Sequence, residues 1–430
     1  MKAAVLLPYR KRPAAGRSPE LALGEVVSLA DALDHDVVHA EIIRLDSIHP
    51  ARVFGRGQCE RLGTTLKVAG AEIALVGAEV SAIQQRTLER QWDVRVVDRT
   101  GMILEVFAAR ARTREGVLQV KLASLTYQRS RLVRRWTHLE RQRGALGFVG
   151  GAGESQLEAD RRDIDNAIVR VRRRLDDVRK TRGLHRSARR RLDHRTVAIV
   201  GYTNAGKSTL FNRLTRSDIV ESGALFSTLD PTVRKLDLES GQTVLIADTV
   251  GFISDLPTQI VAAFRATLEE VEDADVILHV RDLTDPEWIN RAETVAATLN
   301  AIGIRESDCR PTIEVWNKLD RLPPEERAST LNAARRDDRV FPVSAIEGDG
   351  VDSLLAWFED WLQGRRDLET LRFGFAAGQQ RAWLYEHDAV RDERLSEFGF
   401  EIDVWWSKDL ARRFRTRFPD NPTPEMTYRF

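Results

Sequence analysis

The sequence predicts a multidomain α/β protein, and three observations carry that prediction. Residues 1 to about 105 alternate short β-rich runs with amphipathic stretches, the pattern of a small, mostly parallel sheet covered by helices. Residues 106–193 lose the β-rich runs and place apolar residues at helical, heptad-like intervals. At 194 a buried strand begins that runs straight into a glycine-rich loop and a helix, opening a second α/β domain that extends to 365. A small α/β appendage, 366–430, completes the chain.

Composition narrows the class. With 430 residues, 42% apolar and 30% charged, the chain is long enough to bury several cores. Two cysteines, Cys59 and Cys309, cannot form a disulfide framework, which points to a reducing cytosol. No apolar run approaches the roughly 20 residues that span a bilayer, so membrane insertion is not expected. The opening "MKAAVLLPYRKR" is too short in apolar residues for a signal peptide and reads as a first strand. A net charge of +1 hides an asymmetry: from Arg110 to Arg195 there are 24 Lys+Arg against 10 Asp+Glu, while the rest of the chain is acidic. A solvated face explains most short arginine runs, but a segment this long and unbalanced is suited to a polyanion.

The N-terminal strands are expected at Ala3–Leu7, Val37–Leu45, Glu72–Gly77 and Val94–Asp98. Gly55 and Gly57, in "FGRGQCERL", sit at an expected helix start; a GxG there can bind an anion, and a tight turn is the simpler reading. In the helical segment, Ile164, Ile168, Val171, Leu175 and Val178 recur at coiled-coil spacing, with Val117, Leu118, Leu122, Leu125 and Leu132 as partners on a first arm. Between the arms lies "RQRGALGFVGGAGESQLEADRR", with Gly147, Gly150, Gly151 and Gly153 in seven residues. No strand precedes these glycines, so they do not form a dinucleotide loop. The segment reads as an antiparallel helical hairpin with a glycine-rich tip, rich in arginine outside its seam.

The next domain carries the sharpest signals. "TVAIV" (Thr196–Val200) is a buried strand, and "GYTNAGKST" follows at once. Gly201, Tyr202, Thr203, Asn204, Ala205 and Gly206 form a P-loop whose backbone N–H groups can face phosphates; Lys207 reaches the β- and γ-phosphates. Ser208, followed by Thr209, offers its hydroxyl to Mg2+. Downstream, Asp248, Thr249, Val250 and Gly251 make a DxxG motif: the carboxylate holds Mg2+ through water, and the Gly251 N–H can bind the γ-phosphate. Asn317, Lys318, Leu319 and Asp320 form NKxD. The Asp320 carboxylate accepts from N1–H and the 2-amino group of guanine, donors that adenine lacks. After the next strand, Val343, Ser344 and Ala345 can present backbone to the guanine O6. Four motifs in this order predict a Ras-like P-loop domain that binds GTP and GDP with Mg2+. Between the P-loop and DxxG, "ALFSTLDPTVR" must supply a switch hydroxyl, with Ser227, Thr228 and Thr232 as candidates. Many Ras-like enzymes carry a glutamine just after DxxG, but here the residue is Phe252, which cannot orient water. Hydrolysis, carried by Lys207, Gly251 and one switch hydroxyl, is therefore expected to be slow in the free protein.

"GYTNAGKSTLFN", "LFSTLDPT", "DTVGFI", "NKLD" and above all "GGAGESQLEADRR" resemble the HflX family of translational GTPases over roughly residues 1–365. The resemblance favours Thr228 as the switch hydroxyl and adds Phe226, Ser227, Leu229 and Asp230 to the nucleotide-binding segment. It implies that the N-terminal domain binds the 50S subunit, that the hairpin tip reaches 23S rRNA near the peptidyl-transferase region, and that the protein splits stalled or idle ribosomes under stress. The expected rRNA contacts are the four tip glycines with Arg141, Arg143, Arg161, Arg162, Arg172, Arg173 and Arg174. The chain is expected to act as a ribosome-associated cytosolic monomer, at most peripheral at a membrane. The family's N-terminal domain is also linked to ATP, for which this sequence has no comparably specific motif. Asn204 matches an asparagine that in some related GTPases helps hold K+; an ordinary loop-stabilising amide is the other reading. A rival function is an RNA-remodelling module whose GTP domain only regulates affinity. Nothing is carried over to 366–430.

Overall fold

The computed structural model describes residues 1–10, 18–142, 152–191, 195–217, 225–226, 228–254, 270–301, 303–304, 310–363, 366–387, 389–396 and 398–418. It divides into two compact units: Met1–Asp237 with Thr243–Asp349, and Leu238–Gln242 with Gly350–Phe430. The first unit joins the N-terminal region, the hairpin and the nucleotide domain. The expected division at 365 differs from this one, since the helix Val351–Gln363 groups with the C-terminal unit.

The N-terminal sheet contains β1 (Lys2–Arg10), β2 (Asp36–Leu45), β3 (Ile73–Val76) and β4 (Arg95–Asp98) in the order β2-β1-β3-β4. Every pairing is parallel. β3 is too short to alternate and is buried throughout, as a strand covered on both faces must be. The covering helices are α1 (Pro19–Asp31), α2 (Arg56–Ala69), α3 (Ala82–Trp92) and α4 (Arg99–Arg110). Gly55 caps α2, and its N–H donates to Gln58 Oε1 at 3.1 Å, so the GxG is a helix entry with its own partner.

Two long helices follow, α5 (Arg114–Gln142) and α6 (Ala152–Arg191). Leu118, Val171 and Leu175 form the buried seam, flanked by Leu122, Leu125 and Val178. Arg129 and Asp165 bridge the arms at 2.6 Å. Val117, expected in the seam, is 47% exposed; the arms pack along the stripe that starts at Leu118. Gly147, Gly150, Gly151 and Arg143 lie outside the described residues, whereas Gly153 falls in the first turn of α6 rather than in the connecting tip.

The nucleotide domain holds β5 (Arg195–Gly201), β6 (Thr232–Asp237), β7 (Thr243–Asp248), β8 (Val276–Asp282), β9 (Thr312–Asn317) and β10 (Val340–Pro342), ordered β10-β9-β8-β5-β7-β6. Only β6 runs antiparallel, against β7. Helices of this domain include α7 (Lys207–Thr215), α8 (Trp288–Ala301) and α9 (Pro324–Ala334). The first strand of the domain, β5, lies between β7 and β8, so the carboxyl ends of these strands and of β9 open on one edge. Doubly wound sheets bind ligands at that edge.

In the C-terminal unit, α10 (Val351–Gln363) precedes an antiparallel sheet β11-β13-β12 made of β11 (Arg366–Phe373), β12 (Val390–Ser396) and β13 (Gly399–Ser407). α11 (Gly378–Glu386) and α12 (Lys408–Arg417) accompany it, and Trp383, Trp406 and Phe414 centre its core. Among the described residues no helix is long and apolar enough to cross a membrane.

Candidate functional site: a guanine nucleotide site

The P-loop forms because β5 ends in Gly201 and α7 begins at Lys207, leaving five residues to turn. Gly206 takes φ +90°, and a Cβ there would strike the Asn317 amide, so only glycine fits. That amide is the tie between motifs: Asn317 Nδ2 donates to the Ala205 carbonyl at 2.8 Å, and Asn317 Oδ1 accepts from the Ala345 N–H at 3.0 Å. One side chain of NKxD thereby fixes the P-loop against the loop that follows β10.

Lys207 is 7% exposed and donates from Nζ to the Tyr202 carbonyl at 2.8 Å. Burial lowers its ammonium to about 8, partly offset by the Asp248 carboxylate. Gly251 passes so close that a Cβ would lie 3.0 Å from Lys207 Nζ, which keeps the DxxG backbone beside the lysine.

Three oxygens converge next to it. Ser208 Oγ lies 2.8 Å from Thr228 Oγ1, and both hydroxyls donate to Asp248 Oδ2, at 2.9 and 2.8 Å. Burial raises the Asp248 carboxyl above the usual range, against the nearby Lys207 charge. Its Oδ1 is buried without a hydrogen-bond partner. Two hydroxyls and a carboxylate with an orphaned oxygen are the hard donors that Mg2+ selects, so the residues fit the ion. When bound, Mg2+ would neutralise phosphate charge. Of the three candidate hydroxyls, the structure brings Thr228 to this point; Thr232 opens β6, and Ser227 lies outside the described residues.

The residues expected to meet the base are Lys318, Asp320 and Ser344. Lys318 Nζ donates to Asp282 Oδ2 at 2.6 Å. Ser344 Oγ donates to Asp320 Oδ1 at 2.7 Å and accepts from the Glu347 N–H at 3.0 Å. This orients the carboxylate. Leu319, Val343, Val250, Phe226 and Leu229 are all buried, so only their backbones can face a nucleotide.

Phe252 is 2% exposed, and its ring belongs to the buried cluster that also contains Ile103, Phe107 and Phe226. Its backbone pairs with the P-loop: Thr203 N–H donates to Phe252 O at 2.7 Å and Phe252 N–H to Gly201 O at 3.1 Å. The ring is packing, and no glutamine occupies that place.

Sequence reasoning missed several residues. Asp282, at the end of β8, holds Lys318. Glu25 and Arg99, a buried ion pair from the N-terminal helices, reach the site: Glu25 Oε2 accepts from the Tyr202 hydroxyl at 2.5 Å, and Arg99 donates to the Ser254 carbonyl at 2.9 Å. Asp230, expected beside the nucleotide, directs its carboxylate to the start of α5 instead. Motif spacing carries no trace of these long-range contacts.

The comparisons agree with this geometry. Family models described as "GTP-binding GTPase N-terminal", "GTP-binding GTPase Middle Region" and "50S ribosome-binding GTPase" match residues 20–108, 110–189 and 196–318. The chain is 49% identical to the GTPase HflX of Magnetococcus marinus over 78% of its own length and 76% of the relative's. It is 44% identical to the GTPase HflX of Escherichia coli K12, covering 82% and 81% of the two chains. The GTPase HflX of Caldanaerobacter subterraneus is 38% identical over 92% and 90%. With strand-end motifs that select guanine and a hydroxyl–carboxylate set that fits Mg2+, the chain belongs to the HflX family of GTPases and is a GTP hydrolase.

Proposed function

We propose that this GTPase binds the 50S ribosomal subunit in its GTP state, drives the subunits of stalled or idle 70S ribosomes apart, and leaves after hydrolysis. The observation that carries the reading is the union of a guanine nucleotide site with a basic hairpin in one compact unit. Arg161, Arg162, Arg172, Arg173 and Arg174 are all exposed on α6, available to the phosphates of 23S rRNA. Arg141, Arg143 and the glycines of the tip extend the same surface in sequence. The protein works as a monomer, with the ribosome supplying the group that Phe252 does not; hydrolysis by the free protein is slow. Asn204, exposed at φ +62° in the P-loop, is the residue through which a K+ ion would assist.

Cosedimentation with isolated 50S subunits tests the binding half. Retention with a non-hydrolysable GTP analogue and release with GDP support it, whereas equal retention with both nucleotides rejects it. Unwinding of naked RNA that does not depend on ribosomes favours the remodelling alternative.

A further inference from the structure

The expected switch hydroxyl, Thr228, lies two residues before an aspartate that holds a different part of the molecule. Asp230 Oδ2 accepts from the Arg112 N–H at 2.9 Å and the Thr113 N–H at 2.7 Å, and Oδ1 accepts from the Thr113 hydroxyl at 2.5 Å. Thr113 Oγ1 accepts in turn from the Gly116 N–H at 3.0 Å. A carboxylate from the nucleotide domain therefore sits at the N-terminus of α5, where free N–H groups and the positive end of the helix dipole favour an anion. Gly116 is what lets it approach, since a Cβ on that residue would collide with Asp230 Oδ1.

The other side of Thr228 is anchored as well. Phe226 meets Phe107 of α4 edge to face, with ring centroids 4.6 Å apart. Phe226 and Leu229 are buried in one cluster with Ile103, Val120 and Ala123 of α4 and α5. The Thr228 hydroxyl, 2.8 Å from both Ser208 Oγ and Asp248 Oδ2, is thus suspended between two anchors on the N-terminal helices.

We propose that Asp230 is a positioning residue through which the first arm of the hairpin and the hydroxyl of Thr228 set each other's place. A tilt of α5 carries Asp230 with it and draws Thr228 from the phosphate side of the site. Conversely, drawing Thr228 toward a γ-phosphate tightens the first turn of α5. The seam of Leu118, Val171 and Leu175 makes α6 follow. Such coupling is reciprocal by thermodynamic necessity: whatever tilts the hairpin changes the affinity for GTP, and GTP changes the preferred tilt.

Hydrogen exchange on the full-length protein without ribosomes tests this. With Mg2+ and a non-hydrolysable GTP analogue, the amides of Arg112, Thr113 and Gly116 should exchange at least ~5-fold more slowly than with GDP, because local opening must break the Asp230 contacts. Gly116→Ala should bring the two states within ~2-fold of each other, while Val117→Ala, one residue on and exposed, should keep the wild-type difference. Should Gly116→Ala fail to unfold cooperatively, Asp230→Asn, which keeps the size and removes the charge, decides in its place. Exchange at these amides that does not depend on nucleotide in the wild type overturns the proposal. So does a nucleotide difference that survives the substitution.

Discussion

Asp320 is the residue expected to choose the base, and Ser344 fixes its carboxylate by donating to Oδ1 at 2.7 Å. Lone pairs remain on both carboxylate oxygens for the two guanine donors. Asp320→Asn turns one acceptor into a donor, so GTP affinity should fall by at least ~10-fold, in line with an unpaired polar group costing about 1–3 kcal/mol. Xanthine nucleotides should gain relative to guanine nucleotides in the same competition assay; unchanged GTP binding removes Asp320 from the pocket. Lys207 makes a second residue-scale prediction. Burial lowers its ammonium to about 8, and a bound phosphate would raise it again. The bound state therefore holds more protons, and affinity falls as pH rises through that value. For GDP in Mg2+-free buffer the loss between pH 7 and 9 should be about tenfold. A flat titration across that window places the lysine away from the phosphates.

At the scale of elements, the hairpin and the switch loop separate affinity from structure. Replacing Arg172, Arg173 and Arg174 with alanine should weaken 50S binding and flatten its salt dependence by up to about three units of slope, close to one per lost phosphate contact. Binding that is weaker but equally steep in salt argues against phosphate contacts. Phe252 has the opposite character. Its ring fills a core, so Phe252→Ala should cost ~3–5 kcal/mol of stability by chemical denaturation. Turnover per folded molecule should persist, since the ring performs no chemistry. These elements also show what the sequence discloses. The four nucleotide motifs were legible because each is local, a strand end followed at once by its loop. Heptad spacing disclosed the hairpin for the same reason. Val117 was misplaced because 3.6-residue periodicity leaves the edge of an apolar stripe ambiguous, and only packing against α6 decides it.

At the scale of the molecule, the N-terminal helices and the nucleotide domain share one core, with Ile103 and Phe107 beside Phe226 and Phe252. That union was not legible. It depends on pairs such as Glu25 with Tyr202, 177 residues apart, and Arg99 with the Ser254 carbonyl, 155 apart. No motif spans such distances, so the residues that tie the N-terminal helices to the nucleotide domain emerge only from the fold. A molecule built this way should hydrolyse GTP slowly alone and at least ~10-fold faster with 50S subunits, or about 1.4 kcal/mol of barrier. Phosphate release with and without subunits measures it, and fast turnover indifferent to ribosomes contradicts a site completed by its partner. Sedimenting 70S ribosomes with the purified protein and GTP, GDP, a non-hydrolysable GTP analogue or ATP shows whether GTP binding parts the ribosomal subunits. Conversion of 70S to subunits with GTP and the analogue, but not with GDP or ATP, is the predicted result. Intact 70S under all four nucleotides, or conversion indifferent to which one is present, would rule out GTP-driven splitting.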